Sequence, residues 1–230
     1  MNTALNGSPA GRVAIVTGGS SGVGQATIRR LAASGYAVVV NYRNRQRAAE
    51  STVEAILANN GDAVAVRADI ADDLDVQRLF AETIAAFGGI DVVVHAAGSR
   101  ITASAVTEAG LDEFDALVRI NTRATFVVNQ EAARHLRDGG AIVNLSSSAD
   151  GSSLQTHGLY AATKAATDAL TRALALQLRE RKITVNAVVL EVHGPCAPNQ
   201  VADVIAYLLS EHGHGLTGQV LRVGDPRLRL

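Results

Sequence analysis

Tyr160 and Lys164 lie four residues apart in a stretch that reads Leu-Tyr-Ala-Ala-Thr-Lys. If the stretch is helical, the two side chains share one face and lie one turn apart. A nearby ammonium favours the phenolate and lowers the pKa of a phenol. Such a phenol can exchange the proton when a carbonyl is reduced or an alcohol is oxidised. The spacing taken alone also fits a second interpretation, in which Tyr160 is a packing residue and Lys164 is solvated.

A glycine-rich turn follows the first predicted strand, the β-branched run Val13–Thr17, which has the composition of a strand buried on both faces. A predicted helix begins after the glycines and runs to about residue 34. Glycines let the backbone approach a pyrophosphate, and a helix N-terminus offers unpaired N–H groups and a positive dipole end. The order strand, turn, helix therefore predicts a nucleotide-phosphate cradle formed by Gly18, Ser20, Ser21, Gly22, Val23 and Gly24.

The end of the second predicted strand, residues 37–40, carries Asn41 and Arg43, and no acidic residue occurs before Glu50. An acid at this place would bind the ribose 2′-hydroxyl of NAD, whereas arginine favours the 2′-phosphate of NADP. We therefore expect NADP(H), with Arg43 as the contact. The nearby Arg45 and Arg47 are better explained as solvating the next helix.

Two later strand ends complete the expected cofactor site. After the third strand, Asp69 and Ile70 follow, and Asp69 could either cap the next helix or contact the adenine amino group. After the fourth strand, the small residues Ala97 and Gly98 leave room for a cofactor to lie across the strand end.

Strands and helices alternate along the whole chain. Strands are predicted at 13–17, 37–40, 63–67, 91–95, 141–145, 183–189 and 219–223, and helices at about 46–60, 72–87, 111–137, 157–181 and 199–209. This order predicts an α/β fold with a mostly parallel sheet covered on both faces. We expect a flexible segment over residues 1–11 and one domain over 12–230. Asn121 lies inside a predicted helix, which indicates a local distortion or a structural water.

Composition excludes several classes of protein. The 230 residues are 47% hydrophobic with a net charge of −1, which argues against disorder and against a nucleic-acid partner. The single cysteine, Cys196, allows no internal disulfide. Apolar runs are too short to span a membrane, and residues 1–11 have no apolar signal-peptide core. We therefore expect a cytoplasmic protein with no membrane partner.

Taken together, these motifs make the chain similar to the short-chain dehydrogenase/reductase family, and most of all to the branch of 3-oxoacyl-(acyl carrier protein) reductases. The resemblance extends from Val13 to about Val223. The motifs that carry it are Thr17-Gly18-x-x-x-Gly22-x-Gly24, Asn121, Ser147, Tyr160-x-x-x-Lys164, Val185-Asn186-Ala187-Val188 and Thr217-Gly218-Gln219-Val220.

The resemblance implies a doubly wound, seven-stranded Rossmann sheet and an NADP(H)-dependent exchange between a ketone and an alcohol. Tyr160 would be the general acid/base, and Ser147, thirteen residues earlier, would hold the substrate oxygen. Lys164 would bind the nicotinamide ribose, and Asn121 would hold a water of the proton relay. Tyr160 and Lys164 thereby also contact the cofactor. The resemblance further implies a homo-oligomer, a tetramer or a dimer, paired through the helices 111–137 and 157–181.

The chain departs from the family pattern at two places. The usual Asn-Asn-Ala-Gly is replaced by His95-Ala-Ala-Gly98, and we interpret His95 as a packed strand-end residue. The usual Pro-Gly after the sixth strand is Leu190-Glu191, and no threonine occurs between 184 and 217 to contact the nicotinamide carboxamide.

The segment that covers the substrate in relatives is reduced here to about eight residues, 191–198. Three consequences stay open: an open site for bulky ketones, a site completed by a neighbouring subunit, or cofactor binding with poor catalysis. The last would make the protein a sensor or scaffold. Glu191, His193 and Cys196 lie in this segment, but three mixed ligands without a fourth do not favour a metal site.

Overall fold

The computed structural model describes residues 11–98, 105–148, 152–191 and 197–223. Seven strands form one sheet: β1 Val13–Thr17, β2 Ala37–Tyr42, β3 Ala63–Arg67, β4 Ile90–His95, β5 Leu136–Ser148, β6 Thr184–Glu191 and β7 Val220–Val223. The strand order is β3-β2-β1-β4-β5-β6-β7, and every neighbouring pair is parallel. The predicted seven-stranded, doubly wound Rossmann sheet is confirmed.

Seven α-helices connect these strands within the described ranges: α1 Gly22–Ala33, α2 Gln46–Leu57, α3 Asp73–Phe87, α4 Leu111–Leu117, α5 Ala124–His135, α6 Ser152–Gln177 and α7 Pro198–Leu209. None of these helices is long and apolar enough to cross a lipid bilayer.

Two apolar layers hold the helices against the sheet. On one face, alternate strand residues such as Ile15 and Val93 pack with Phe80 of α3 and Val128 of α5. On the other face, residues such as Val16 pack with α1, α2 and α7. Both layers follow from the strand sequences, since strands buried on two faces need apolar side chains at consecutive positions.

The helix predicted over residues 111–137 is continuous from Leu111 to His135, with one distortion inside it. A π-helical turn, Val118–Arg123, separates α4 from α5 and contains Asn121, as the predicted distortion requires. The buried Asn121 side chain donates its Nδ2 hydrogen to Thr163 Oγ1 on α6 at 3.1 Å. Its main-chain carbonyl accepts the hydroxyl of Thr125. Side-chain competition for backbone groups is an expected cause of such an interruption.

Two element boundaries and one helix cap also differ from the predictions. Helix α6 begins five residues earlier than expected, at Ser152, and has a kink at His157. Strand β5 begins at Leu136 rather than at residue 141. Asp72, not Asp69, caps α3, because its Oδ1 accepts the N–H groups of Leu74 and Asp75.

Candidate active site

A cleft of about 960 Å³ opens along the carboxyl ends of β1 to β6. Twelve of the residues that the sequence assigned to the cofactor line it: Gly18, Ser20, Ser21, Gly22, Val23, Gly24, Asn41, Arg43, Asp69, Ile70, Ala97 and Gly98. Residues from four separate strand ends therefore meet in one place, as the parallel sheet requires.

The glycine turn packs directly against the end of β4. Gly18 has a φ of +66°, and a Cβ there would lie 2.9 Å from the Cα of Ala97. A Cβ on Gly24 would lie 2.3 Å from the carbonyl oxygen of Gly18. Ser21 precedes α1 without a side-chain capping bond, and the first turn of α1 contains no acidic residue. The N-terminal N–H groups of α1 thus face the cleft without an internal anionic partner, which suits a phosphate.

Asn41 braces this turn. Its side chain is buried, donates to the carbonyl of Ala68 at 3.1 Å and accepts the N–H of Gly18 at 3.4 Å. Asn41 thereby ties β2 and β3 to the glycine turn. Beyond it, Arg43 Nη1 lies 3.9 Å from Asp69 Oδ2, with the Arg43 side chain 56% exposed.

Three arginines line the cleft: Arg43, Arg45 and Arg119, the last of which lies on the π-helical turn. The sequence predicts Arg45 only as a residue that solvates α2, and it does not predict Arg119 at this place. Asp69 is the one acidic residue among the lining side chains of the described chain. The cleft therefore carries a net positive charge. No sequence signal singles out Arg119, because only the packing of the π-helical turn brings it to this edge.

Lys164 and Asn121 lie beside Gly98, a residue of the cleft lining, and Tyr160 lies next to Lys164. The Lys164 Nζ lies 5.9 Å from the centroid of the Tyr160 ring. A Cβ on Gly98 would be 3.1 Å from Asn121 Oδ1 and 3.3 Å from Lys164 Nζ. The structure thus brings together three of the four residues assigned to catalysis, and the helical Tyr-x-x-x-Lys geometry holds.

Lys164 is buried, with 5% of its surface exposed, and its Nζ donates to the carbonyl of Leu145 at 3.0 Å. Desolvation lowers its pKa to about 8, against an opposing contribution from the carboxylate of Asp168. The interpretation of Lys164 as a solvated surface residue is wrong. A lysine with this pKa is still mostly protonated at neutral pH, yet its charge is poorly hydrated.

Two of the three consecutive serines have different environments in the structure. Ser146 is buried, and its hydroxyl donates to the main-chain carbonyl of Lys164 at 3.3 Å. Ser147 is half-buried, and its hydroxyl donates at 2.8 Å to the carbonyl of Leu190, a residue of the cleft lining. Ser147 is therefore better placed than Ser146 to contact a bound substrate.

His95 is packed inside the protein, as predicted. It is 1% exposed, and its Nδ1 lies 2.9 Å from the hydroxyl oxygen of Thr17 on β1. Burial lowers its pKa to about 3, with a further contribution from the charge of Lys164. His95 is therefore neutral at physiological pH.

The connection between β6 and α7, next to Leu190 of the cleft lining, is short. Strand β6 ends at Glu191 and α7 begins at Pro198. His193 and Cys196, considered above as metal ligands, lie outside the described residues. Leu190 is the last residue of β6 that lines the cleft.

Known proteins resemble this chain in sequence and in structure. The family model described as short chain dehydrogenase matches residues 12–194. Hydroxynaphthalene reductase-like protein Arp2 of Metarhizium brunneum (strain ARSEF 3297) is 42% identical over 182 residues, 78% of this chain and 67% of the relative. A dehydrogenase/reductase from Sinorhizobium meliloti 1021 superposes with a TM-score of 0.87 at 35% identity, over 94% of each chain. A short chain dehydrogenase from Burkholderia cenocepacia J2315 in complex with NADP superposes with a TM-score of 0.84 at 34% identity, over 92% of this chain and 96% of the other.

The low pKa of His95 predicts a loss of stability in acid. The unfolded chain binds a proton at this histidine near pH 6.5, whereas the folded chain binds it only near pH 3, so folding excludes the proton between these values. The free energy of unfolding should therefore fall as the pH decreases through this window. Between pH 7 and pH 5, His95 accounts for a loss of about 2 kcal/mol.

Urea unfolding of the parent and of His95→Gln at both pH values checks this. The variant should lose about 2 kcal/mol less than the parent over the same interval. All other titrating groups are shared and cancel in the difference. An equal loss in both proteins would contradict the assignment of a buried, neutral His95.

Proposed function

The chain belongs to the short-chain dehydrogenase/reductase family, and on that premise we propose that it is an NADP(H)-dependent oxidoreductase that interconverts a ketone and an alcohol. The observation that carries the proposal is that Lys164 and Asn121 lie beside Gly98 of the cleft lining, with Tyr160 next to Lys164, in a cleft that has a glycine cradle.

The cleft fits a dinucleotide with an additional phosphate. The glycine turn and the N-terminus of α1 suit the pyrophosphate, since their N–H groups have no acidic neighbour in the first turn. The end of β2 presents Asn41 and Arg43 instead of a carboxylate, and Arg45 and Arg119 add positive charge. This charge supports NADP(H) over NAD(H), because the 2′-phosphate brings extra negative charge that a carboxylate would repel. The NADP complex of the Burkholderia relative is consistent with this choice.

The nicotinamide supplies or accepts the hydride when the cofactor is bound. The chain's own residues handle the proton and the substrate oxygen. The Tyr160 hydroxyl donates its proton to the carbonyl oxygen in reduction. The Ser147 hydroxyl turns from the carbonyl of Leu190 and donates a hydrogen bond to the same substrate oxygen. The Lys164 ammonium stabilises the resulting phenolate and holds the ribose. Asn121 holds a water that returns the proton to Tyr160 through Lys164.

The short connection between β6 and α7 supports bulky ketones as substrates. With at most six residues between β6 and α7, little chain is available to close over the substrate. The name of the Metarhizium relative, a hydroxynaphthalene reductase-like protein, makes fused-ring ketones the first compounds to test. The resemblance to 3-oxoacyl-(acyl carrier protein) reductases makes a 3-oxoacyl substrate the second compound to test in the same reduction assay.

A second candidate is a cofactor-binding sensor or scaffold with little turnover. The short connection between β6 and α7 favours it, since a poorly covered site excludes water less well. Tight NADPH binding without turnover of any ketone in a broad panel would support this candidate against the first.

We also propose a homo-oligomer with a cytoplasmic location and a single folded domain over residues 12–230. An apolar groove between the π-helical turn, α5 and α6 is lined by Val118, Thr122, Arg123, Phe126, Ala166, Ala169 and Leu170. Phe126 is 49% exposed and Phe114 on α4 is 44% exposed. A second copy on this face would bury these side chains, which are unusual on an isolated surface.

Tyr160→Phe tests the mechanism. The variant keeps the ring but lacks the proton donor, so kcat for NADPH-dependent reduction of a fused-ring ketone should fall at least about 10²-fold. The dissociation constant of NADPH, measured by fluorescence titration, should change little. Activity equal to that of the parent would refute Tyr160 as the general acid.

Arg43→Gln tests the cofactor choice. Removing the guanidinium should raise the dissociation constant of NADPH about tenfold and leave that of NADH nearly unchanged. Arg47→Gln is the matched control, since Arg47 is exposed but lies outside the cleft lining. If Arg119→Gln, and not Arg43→Gln, selectively weakens the binding of NADPH, the 2′-phosphate is bound by the π-helical turn and not by the end of β2.

Phe126→Glu tests the apolar groove. A charge at this position should shift the parent oligomer to smaller species in sedimentation velocity. Leu74→Glu is the control, because Leu74 is 74% exposed on α3, away from the groove. An unchanged oligomer in Phe126→Glu would place the interface elsewhere.

A further inference from the structure

Buried polar atoms without partners are concentrated in one part of the protein. Within the described residues, eight buried side-chain nitrogen and oxygen atoms have no hydrogen-bond partner. Five of them belong to four residues: His95 Nε2, Asn144 Oδ1, Thr167 Oγ1, and both Nδ2 and Oδ1 of Asn129. We call these four residues the polar seam. Each is at most 4% exposed.

The two sheet residues of the seam are neighbours. His95 on β4 and Asn144 on β5 are register partners. Each lies two residues beyond Val93 or Ile142 on its strand and therefore on the same face of the sheet, where Val93 and Ile142 pack in the apolar layer beneath α3, α5 and α6. Both side chains therefore point toward these helices. Asn144 confirms this direction, since its Nδ2 donates to Thr171 Oγ1 on α6 at 3.0 Å.

The two helix residues of the seam face the same space. On α5, Asn129 lies on the helical wheel between Val128, which packs in the core, and Phe126, which lines the groove against α6. On α6, Thr167 lies between Lys164, which contacts β5, and Leu170, which lines the same groove. The seam therefore runs between α5 and α6 above β4 and β5, one turn of α6 beyond Lys164.

Unpartnered groups at this depth are costly, so a native protein rarely leaves several of them together. The seam contains complementary groups. The Thr17 hydroxyl accepts the N–H of Ala97 at 3.1 Å and can donate its own hydrogen to His95 Nδ1. The neutral ring then carries its proton on Nε2, which makes Nε2 a donor. Asn144 Oδ1 is an acceptor, and the Thr167 hydroxyl is both.

We propose that the polar seam binds ordered internal water, with His95 Nε2 as one ligand and Asn144 Oδ1 and Thr167 Oγ1 as others. Water suits this site because it donates two hydrogen bonds and accepts two, so it satisfies either tautomer of His95. Internal waters typically have two to four such protein partners. This water is distinct from the one assigned above to Asn121, and its existence does not depend on the proposed activity.

The bound water also has a structural role. It joins β4 and β5 to α6 next to the turn that carries Lys164, and it adds to the direct bonds that β5 already makes with this part of α6. The seam therefore lies further along α6 than the bond between Asn121 and Thr163. Removing one water ligand should loosen this attachment.

Two valine variants test the role of the water. Thr167→Val removes one hydroxyl without changing the side-chain volume, so it should lower the melting temperature by several degrees if that hydroxyl holds water. Thr27→Val is the matched control. Thr27 is also a fully buried helical threonine with an unpartnered hydroxyl, but it lies on α1, outside the seam. This control should leave the melting temperature unchanged or raise it, since it removes an unsatisfied group.

A crystal structure of the parent at about 1.2 Å gives the direct observation. The proposal requires a water peak within about 3.2 Å of His95 Nε2, also bonded to Asn144 or Thr167, and its loss or displacement in Thr167→Val. It is overturned if His95 Nε2 bonds directly to a protein atom, or if the seam contains no density. It is equally overturned if Thr167→Val is as stable as the parent or more so.

Discussion

The burial of one ammonium group constrains the architecture of the site. Lys164 is 5% exposed, and a charge at this depth is tolerated only with good hydrogen-bond partners. The carbonyl of Leu145 provides one, at 3.0 Å. Leu145 lies one residue beyond the last register pair of β4 and β5, which is His95 with Asn144. The floor of the cleft therefore depends on how α6 is held against β5.

Hydrogen bonds from three neighbouring residues hold this part of α6. Ser146 donates to the carbonyl of Lys164, Asn144 donates to Thr171, and Asn121 donates to Thr163. The π-helical turn belongs to the same arrangement, since it brings Asn121 to α6 and Arg119 to the cleft. A structure fixed in this way holds Tyr160 and Lys164 in a defined geometry before any ligand binds, which is what catalysis by positioned groups requires.

The opposite wall of the cleft is held by close backbone packing. Gly18 and Gly24 have no room for a side chain, and Asn41 ties the glycine turn to β2 and β3. In contrast, the end of the cleft beyond Leu190 has a short connection to α7.

The sequence predicts the order of strands and helices, the parallel sheet, the glycine cradle and the spacing of Tyr160 and Lys164. These features depend on local periodicity and on neighbours a few residues apart, which sequence patterns record directly. It also placed a distortion at Asn121, because an asparagine competes with the helix backbone wherever it occurs.

Other features follow from the packing of the folded chain, and the reason is the same for each. The arrival of Arg119 in the cleft, the bond between Asn121 and Thr163, and the hydrogen bonds of Ser146 and Ser147 all depend on contacts between distant segments. The lowered pKa values of Lys164 and His95 depend on burial beneath helices that lie far away in sequence. A residue's type states which interactions it can make, and the packing of the folded chain decides which of them it makes.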